Sequence, residues 1–140
     1  VNVLEPASLV REAVAHFVPN GGGALISMSS WSGQKGSSLP SLSAYAASKA
    51  AIKAFTQTIA TSYAKEGVLA YIIAPGIVKT RMSDLAAVIR GGEEKMKSSL
   101  VLGELVTPDE LGNLAVFLAS GKCRHLTGAT LDVNGASYIR

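Results

Sequence analysis

Residues Val68-Leu69-Ala70-Tyr71-Ile72-Ile73-Ala74-Pro75 form an unbroken apolar run whose only polar side-chain atom is the Tyr71 hydroxyl. Gly67 precedes it and Gly76 follows it, so the run is bounded by turn signals on both sides. A run this short, without period-two alternation, reads as a strand covered on both faces. Such a strand sits inside a sheet with helices packed above and below it. It is also too short to cross a bilayer.

Two other stretches read as strands of the same sheet. Ala24-Leu25-Ile26-Ser27-Met28-Ser29 is a short apolar run, and Leu126 to Val133 is another, followed by Asn134-Gly135. Helical patterns separate them. In residues 1–18, Val3, Leu4, Leu9, Val10, Val14 and Phe17 fall near one stripe, with Pro6 marking a kink or a start. From Ser43, the residues Tyr45, Ile52, Phe55, Ile59 and Tyr63 recur at helical spacing among many alanines, and Gly67 supplies a C-cap. Val78 to Arg90 and Glu93 to Leu102 read as two short helices around Gly91-Gly92. Thr107-Pro108-Asp109-Glu110 is a helix start, with Leu111, Leu114, Ala115 and Leu118 on the apolar face behind it. Residues 31–42, rich in Ser and Gly, read as a loop.

Strands separated by helices of crossover length imply a parallel sheet in an α/β fold. Ligands of such sheets bind beyond the carboxyl ends of the strands. The glycines of Pro19-Asn20-Gly21-Gly22-Gly23 are excluded as a phosphate cradle, because they follow a helix and precede a strand. A dinucleotide loop needs the reverse order.

The chain of 140 residues is expected to form a single domain, and at 48% hydrophobic residues it can bury a core. Its net charge of +3 is small and scattered, so no nucleic-acid partner is expected. No metal site and no membrane partner are expected either. A lone cysteine, Cys123, rules out an internal disulfide, suits a reducing compartment and reads as a small half-buried hydrophobe. With no targeting segment in view, the expectation is a soluble, cytoplasmic protein.

The chemistry gathers between Leu25 and Lys49. Tyr45 and Lys49 are four apart on a helix and so share one face. Ser29 and Ser30 end the preceding strand, and strand alternation alone does not choose between them. A phenol, an ammonium and an alcohol aimed at one pocket can pass a proton to or from a carbinol or carbonyl oxygen.

Four segments together resemble the short-chain dehydrogenase/reductase family. They are Ser29-Ser30-Trp31-Ser32-Gly33, Tyr45-Ala46-Ala47-Ser48-Lys49, Pro75-Gly76-Ile77-Val78-Lys79-Thr80, and Leu126-Thr127-Gly128 with Val133-Asn134-Gly135. The resemblance covers the whole chain but only the C-terminal part of that family's domain. It implies the rear portion of a Rossmann-like doubly wound sheet, three strands with flanking helices, with the front βαβ units and their glycine loop absent. It implies an NAD- or NADP-dependent oxidoreductase that interconverts an alcohol and a carbonyl by hydride transfer.

By the same resemblance Tyr45 is the general acid/base. Lys49 favours its phenolate and holds the ribose hydroxyls. Ser30, the serine that precedes x-x-Gly, binds the substrate oxygen, and Asn2 supports a proton relay through water. Pro75, Gly76, Ile77, Val78 and Thr80 line the nicotinamide site. A small-molecule alcohol or carbonyl is the implied substrate and a homo-oligomer the implied assembly. The alternative reading is a cofactor-free relative that serves as an oligomeric or interaction module. An enoyl reductase, which needs a longer Tyr-to-Lys spacing, and a sugar epimerase are disfavoured.

Overall fold

A computed structural model describes residues 3–140. Three strands, β1 (Gly23–Met28), β2 (Val68–Pro75) and β3 (Thr130–Val133), form one parallel sheet in the order β1-β2-β3. Gly23 lies opposite Val68 and Met28 opposite Ile73 in the first pair. Ile72 lies opposite Thr130 and Pro75 opposite Val133 in the second. Among the described residues there are six α-helices: α1 (Leu4–Phe17), α2 (Ser32–Lys35), α3 (Ser43–Tyr63), α4 (Arg81–Arg90), α5 (Glu93–Ser98) and α6 (Pro108–Ala119).

The apolar run that anchors the sequence is the central strand, and every one of its residues is buried. Its side chains alternate between two helical layers. Val68 packs with Val10, Val14, Phe55 and Ile59 from α1 and α3. Leu69, Tyr71 and Ile73 pack with Leu111, Leu114 and Leu118 from α6. That is why the run shows no polar alternation: both faces are interior.

The chain steps in one direction across the sheet, from β1 to β2 to β3. The first crossover helix, α3, and the second, α6, lie on opposite faces. Two crossovers stepping the same way with helices on opposite faces must have opposite hands. One of them therefore breaks the right-handed rule that parallel crossovers ordinarily obey.

Several boundaries differ from the sequence expectations. The first helix runs Leu4–Phe17, and Pro6 sits in its opening turn, where a missing N–H costs nothing. The third strand covers only Thr130–Val133, because Arg124–Leu126 closes a tight 3-10 turn. Gly128 still donates to the Ala70 carbonyl at 2.7 Å, and Thr127 Oγ1 accepts from Ala70 N at 2.9 Å. The first helix expected after β2 begins at Arg81 rather than Val78. Val78 instead bridges Val106 in a short parallel contact. Cys123 is exposed rather than half-buried.

The start of α6 matches its sequence signature. Thr107 Oγ1 accepts from Glu110 N, and the Glu110 carboxylate accepts from Thr107 N at 2.7 Å. Those bonds from Thr107 hold the Glu110 carboxyl below its ordinary range. Among the described residues no helix is long and apolar enough to cross a membrane. β1 is an edge strand: among the described residues it pairs with β2 alone.

Candidate active site

Past the end of β1 the backbone continues beside β2, with Ser29 N donating to the Ile73 carbonyl at 2.8 Å and Trp31 N to the Pro75 carbonyl at 3.0 Å. This extension fixes the two serines, both of which are buried. Their hydroxyls differ. Ser29 Oγ donates to the Lys49 carbonyl at 2.8 Å, so its proton is committed to the backbone of α3. Ser30 Oγ accepts from Ser32 N at 3.1 Å, which leaves its proton without an acceptor among the described residues. The alternation that sequence could not resolve is thus resolved by hydrogen bonding: Ser29 is a brace and Ser30 keeps a free donor.

The helix that carries Tyr45 and Lys49 is held close by a glycine. A Cβ at Gly33 would lie 2.8 Å from the Lys49 carbonyl carbon and 2.9 Å from Ala50 N. Only the absence of a side chain lets α2 pack backbone-to-backbone against α3 there. Tyr45 and Lys49 stand one turn apart, with the Lys49 ammonium 5.8 Å from the centre of the Tyr45 ring. Lys49 Nζ donates to the Met28 carbonyl at 3.0 Å, which spends one of its three donors. Burial pushes its ammonium below the ordinary lysine value.

A pocket of about 370 Å³ opens at the carboxyl ends of β1 and β2. That size suits a small-molecule site. Ser30 and Tyr45 line it, as do Pro75, Gly76, Ile77, Val78 and Thr80. Lys49 does not line it, but its ammonium bonds the carbonyl of Met28, a residue that does. The proposed relay residue Asn2 lies outside the described residues.

The wall formed after β2 is shaped by tight packing on β3. Gly76 N donates to the Val133 carbonyl at 2.9 Å, and a Cβ there would come within 2.9 Å of Asn134 Cβ. The next residues bond Val106 through the Ile77 carbonyl and Lys79 N. In a parallel contact the residue between those two groups directs its own N–H and C=O to the opposite side. The N–H of Val78, a residue that also lines the pocket, has no hydrogen-bond partner among the described residues. The Val78 carbonyl accepts only a long 3.4 Å bond from Thr80 Oγ1, so a backbone donor and acceptor lie side by side as a primary carboxamide requires, and these residues fit a nicotinamide.

Sequence reading missed α2 and what secures it. Gln34 Nε2 donates to Asp132 Oδ1 on β3, and Arg140 Nε donates to the same carboxylate at 2.8 Å. Lys35 Nζ lies 4.2 Å from the centre of the Trp31 ring, a cation–π contact at helical i, i+4 spacing. That spacing was the one signal available. It places the Trp31 indole in the pocket wall, beside Ser30.

Known proteins resemble this chain over nearly its whole length. A family model described as Enoyl-(Acyl carrier protein) reductase matches residues 1–136. The chain is 31% identical over 140 residues to Dehydrogenase/reductase SDR family member 4 of Homo sapiens, covering 100% of this chain and 50% of that protein. It is 34% identical over 130 residues to Diacetyl reductase [(S)-acetoin forming] of Staphylococcus aureus, covering 86% of this chain and 50% of that protein. The chain thus spans about half the length of the relatives it matches. A solved structure of ElxO with NADP bound superposes with a TM-score of 0.85 at 26% identity, over 97% of this chain and 54% of that one. The three-stranded parallel sheet, the helices on both its faces and these matches agree that the chain belongs to the short-chain dehydrogenase/reductase family.

Proposed function

We propose that this chain forms the catalytic part of an NAD- or NADP-dependent oxidoreductase that interconverts an alcohol and a carbonyl. The observation that carries the reading is that Ser30 and Tyr45 line one pocket beside a free backbone donor at Val78, with the Lys49 ammonium 5.8 Å from the centre of the Tyr45 ring. The nicotinamide, when bound, supplies or accepts the hydride. In the reducing direction the Ser30 hydroxyl donates a hydrogen bond to the carbonyl oxygen. As negative charge builds on that oxygen, the Tyr45 hydroxyl transfers its proton to it, and the product alcohol is complete. The Lys49 ammonium stabilises the phenolate left behind. Oxidation runs the same steps in reverse. Pro75 to Thr80 hold the nicotinamide against this group, with the Val78 backbone on the carboxamide.

The ammonium lies 5.8 Å from the centre of the Tyr45 ring, one helical turn away. Lys49→Ala therefore lowers turnover by at least about tenfold, because the phenolate left after proton transfer loses its cationic neighbour. Steady-state rates of wild type and variant test this, and unchanged turnover shows that Lys49 does not act on Tyr45.

We also infer a homo-oligomer that pairs through α1 and α3. The groove between these helices is lined by Leu4, Ala7, Val14, Phe55, Ile59 and Tyr63. Leu4, 79% exposed, adjoins the half-buried Phe55, Ile59 and Tyr63 in that groove, so the two helices offer a contiguous apolar face to a partner. Sedimentation should show a dimer or larger species at micromolar concentration, and a strict monomer refutes the pairing.

A further inference from the structure

Among the described residues Arg90 is the only charged side chain on the wall of the pocket that holds Ser30 and Tyr45. It ends α4, and with Met82 and Ala86 it falls at i, i+4 and i+8, a single stripe of that helix. All three line the pocket, so this stripe is the face that α4 turns toward it. Arg90 is exposed, so its guanidinium is open to a ligand that enters from solvent. Among the described residues Arg90 makes no ion pair and no side-chain hydrogen bond. The nearest acids in sequence after it, Glu93 and Glu94, are both bonded to Lys97. Trp31, Leu42 and Met96 give the wall apolar surface, beside the hydroxyl-bearing Ser32, Thr80 and Ser83.

A guanidinium presents a planar fork of donors that suits a carboxylate or a phosphate. We propose that the pocket takes a carbonyl or alcohol substrate with an apolar body and a terminal anion of the carboxylate or phosphate kind, which binds Arg90. The reacting oxygen sits at Ser30 and Tyr45, and the apolar body lies between the two ends. This assignment rests on the hydride-transfer reading of the same pocket and adds the substrate class to it. A basic residue in the last turn also complements the helix dipole. That role alone changes stability and leaves substrate discrimination untouched.

The test compares an aliphatic keto acid with its methyl ester, and with the phosphate monoester of the matching keto alcohol, in the catalytically competent protein. Wild type should favour the anions over the ester by at least about tenfold in kcat/KM, the scale of one charge-assisted contact. Arg90→Met should raise KM for the anions and collapse that preference, whereas Arg90→Lys, which keeps a point charge without the fork, should retain part of it. Whichever anion shows the larger loss in Arg90→Met identifies the terminal group. Calorimetric titration with the same compounds gives a readout independent of turnover. Turnover without an anion preference, or a preference unchanged in Arg90→Met, overturns the proposal and leaves the hydride-transfer reading standing. Arg90-dependent binding of the anions without reduction of any ketone upholds the anion site and removes the hydride-transfer reading. Equal binding of anions and ester overturns the proposal whether or not the ketones are reduced.

Discussion

Tyr45→Phe lowers turnover at least about a hundredfold, the usual scale for loss of a positioned general acid/base. The substitution keeps the ring and removes only the hydroxyl. Ser30 does not replace it: a serine hydroxyl can donate a hydrogen bond to the reacting oxygen but is far too weak an acid to give up its proton. The ring's packing beside Lys49 survives, so the thermal midpoint and cofactor affinity should stay near wild type. Steady-state rates in both directions check the prediction. Wild-type turnover in Tyr45→Phe removes Tyr45 from the mechanism.

A polypeptide of residues 1–140 alone binds neither NADH nor NADPH at micromolar concentration. The pyrophosphate of a dinucleotide is held by amide donors where a glycine loop leaves a strand and opens a helix. The glycine run of this chain lies instead between α1 and β1, in the order helix, glycines, strand. The Pro75–Thr80 wall can meet the nicotinamide end but supplies no such cradle. The same polypeptide carries β1 at the sheet edge, with a row of backbone donors and acceptors facing outward. It should therefore self-associate through that edge. Calorimetric titration of mass-verified protein with both cofactors, followed by sedimentation, tests both statements. Micromolar binding means the dinucleotide is held by residues other than a front glycine loop.

The elements governed by short-range rules were legible in the sequence. β2 followed from its uninterrupted apolar run, α3 from its period, and α6 from the Thr107–Glu110 capping pair. Placement of Tyr45 beside Lys49 followed from helical spacing alone. What was not legible depends on contacts between distant segments. Ser32 and Gly33 are a weak start for a helix, and α2 is fastened by Gln34 to Asp132, nearly a hundred residues away. Ser29 and Ser30 were indistinguishable until the Lys49 carbonyl claimed one hydroxyl. Opposite crossover hands leave no local trace, since they depend on which face of β2 each helix covers. Arg90 could be placed on a stripe with Met82 and Ala86 from spacing, but not brought to the pocket that Tyr45 lines. That placement depends on the packing of α4 with α5, where Ala87 meets Met96 and Leu105.

The central claim is that a hydride passes between a nicotinamide and a carbonyl carbon at a site where Tyr45 manages the proton. It is tested most directly by incubating the catalytically competent protein with a ketone and NADH or NADPH carrying deuterium at the transferable position of the nicotinamide ring. The account predicts product alcohol with a single deuterium on the carbinol carbon, a solvent-derived proton on its oxygen, and almost no product from Tyr45→Phe. Solvent hydrogen on that carbon, or full product from Tyr45→Phe, contradicts it.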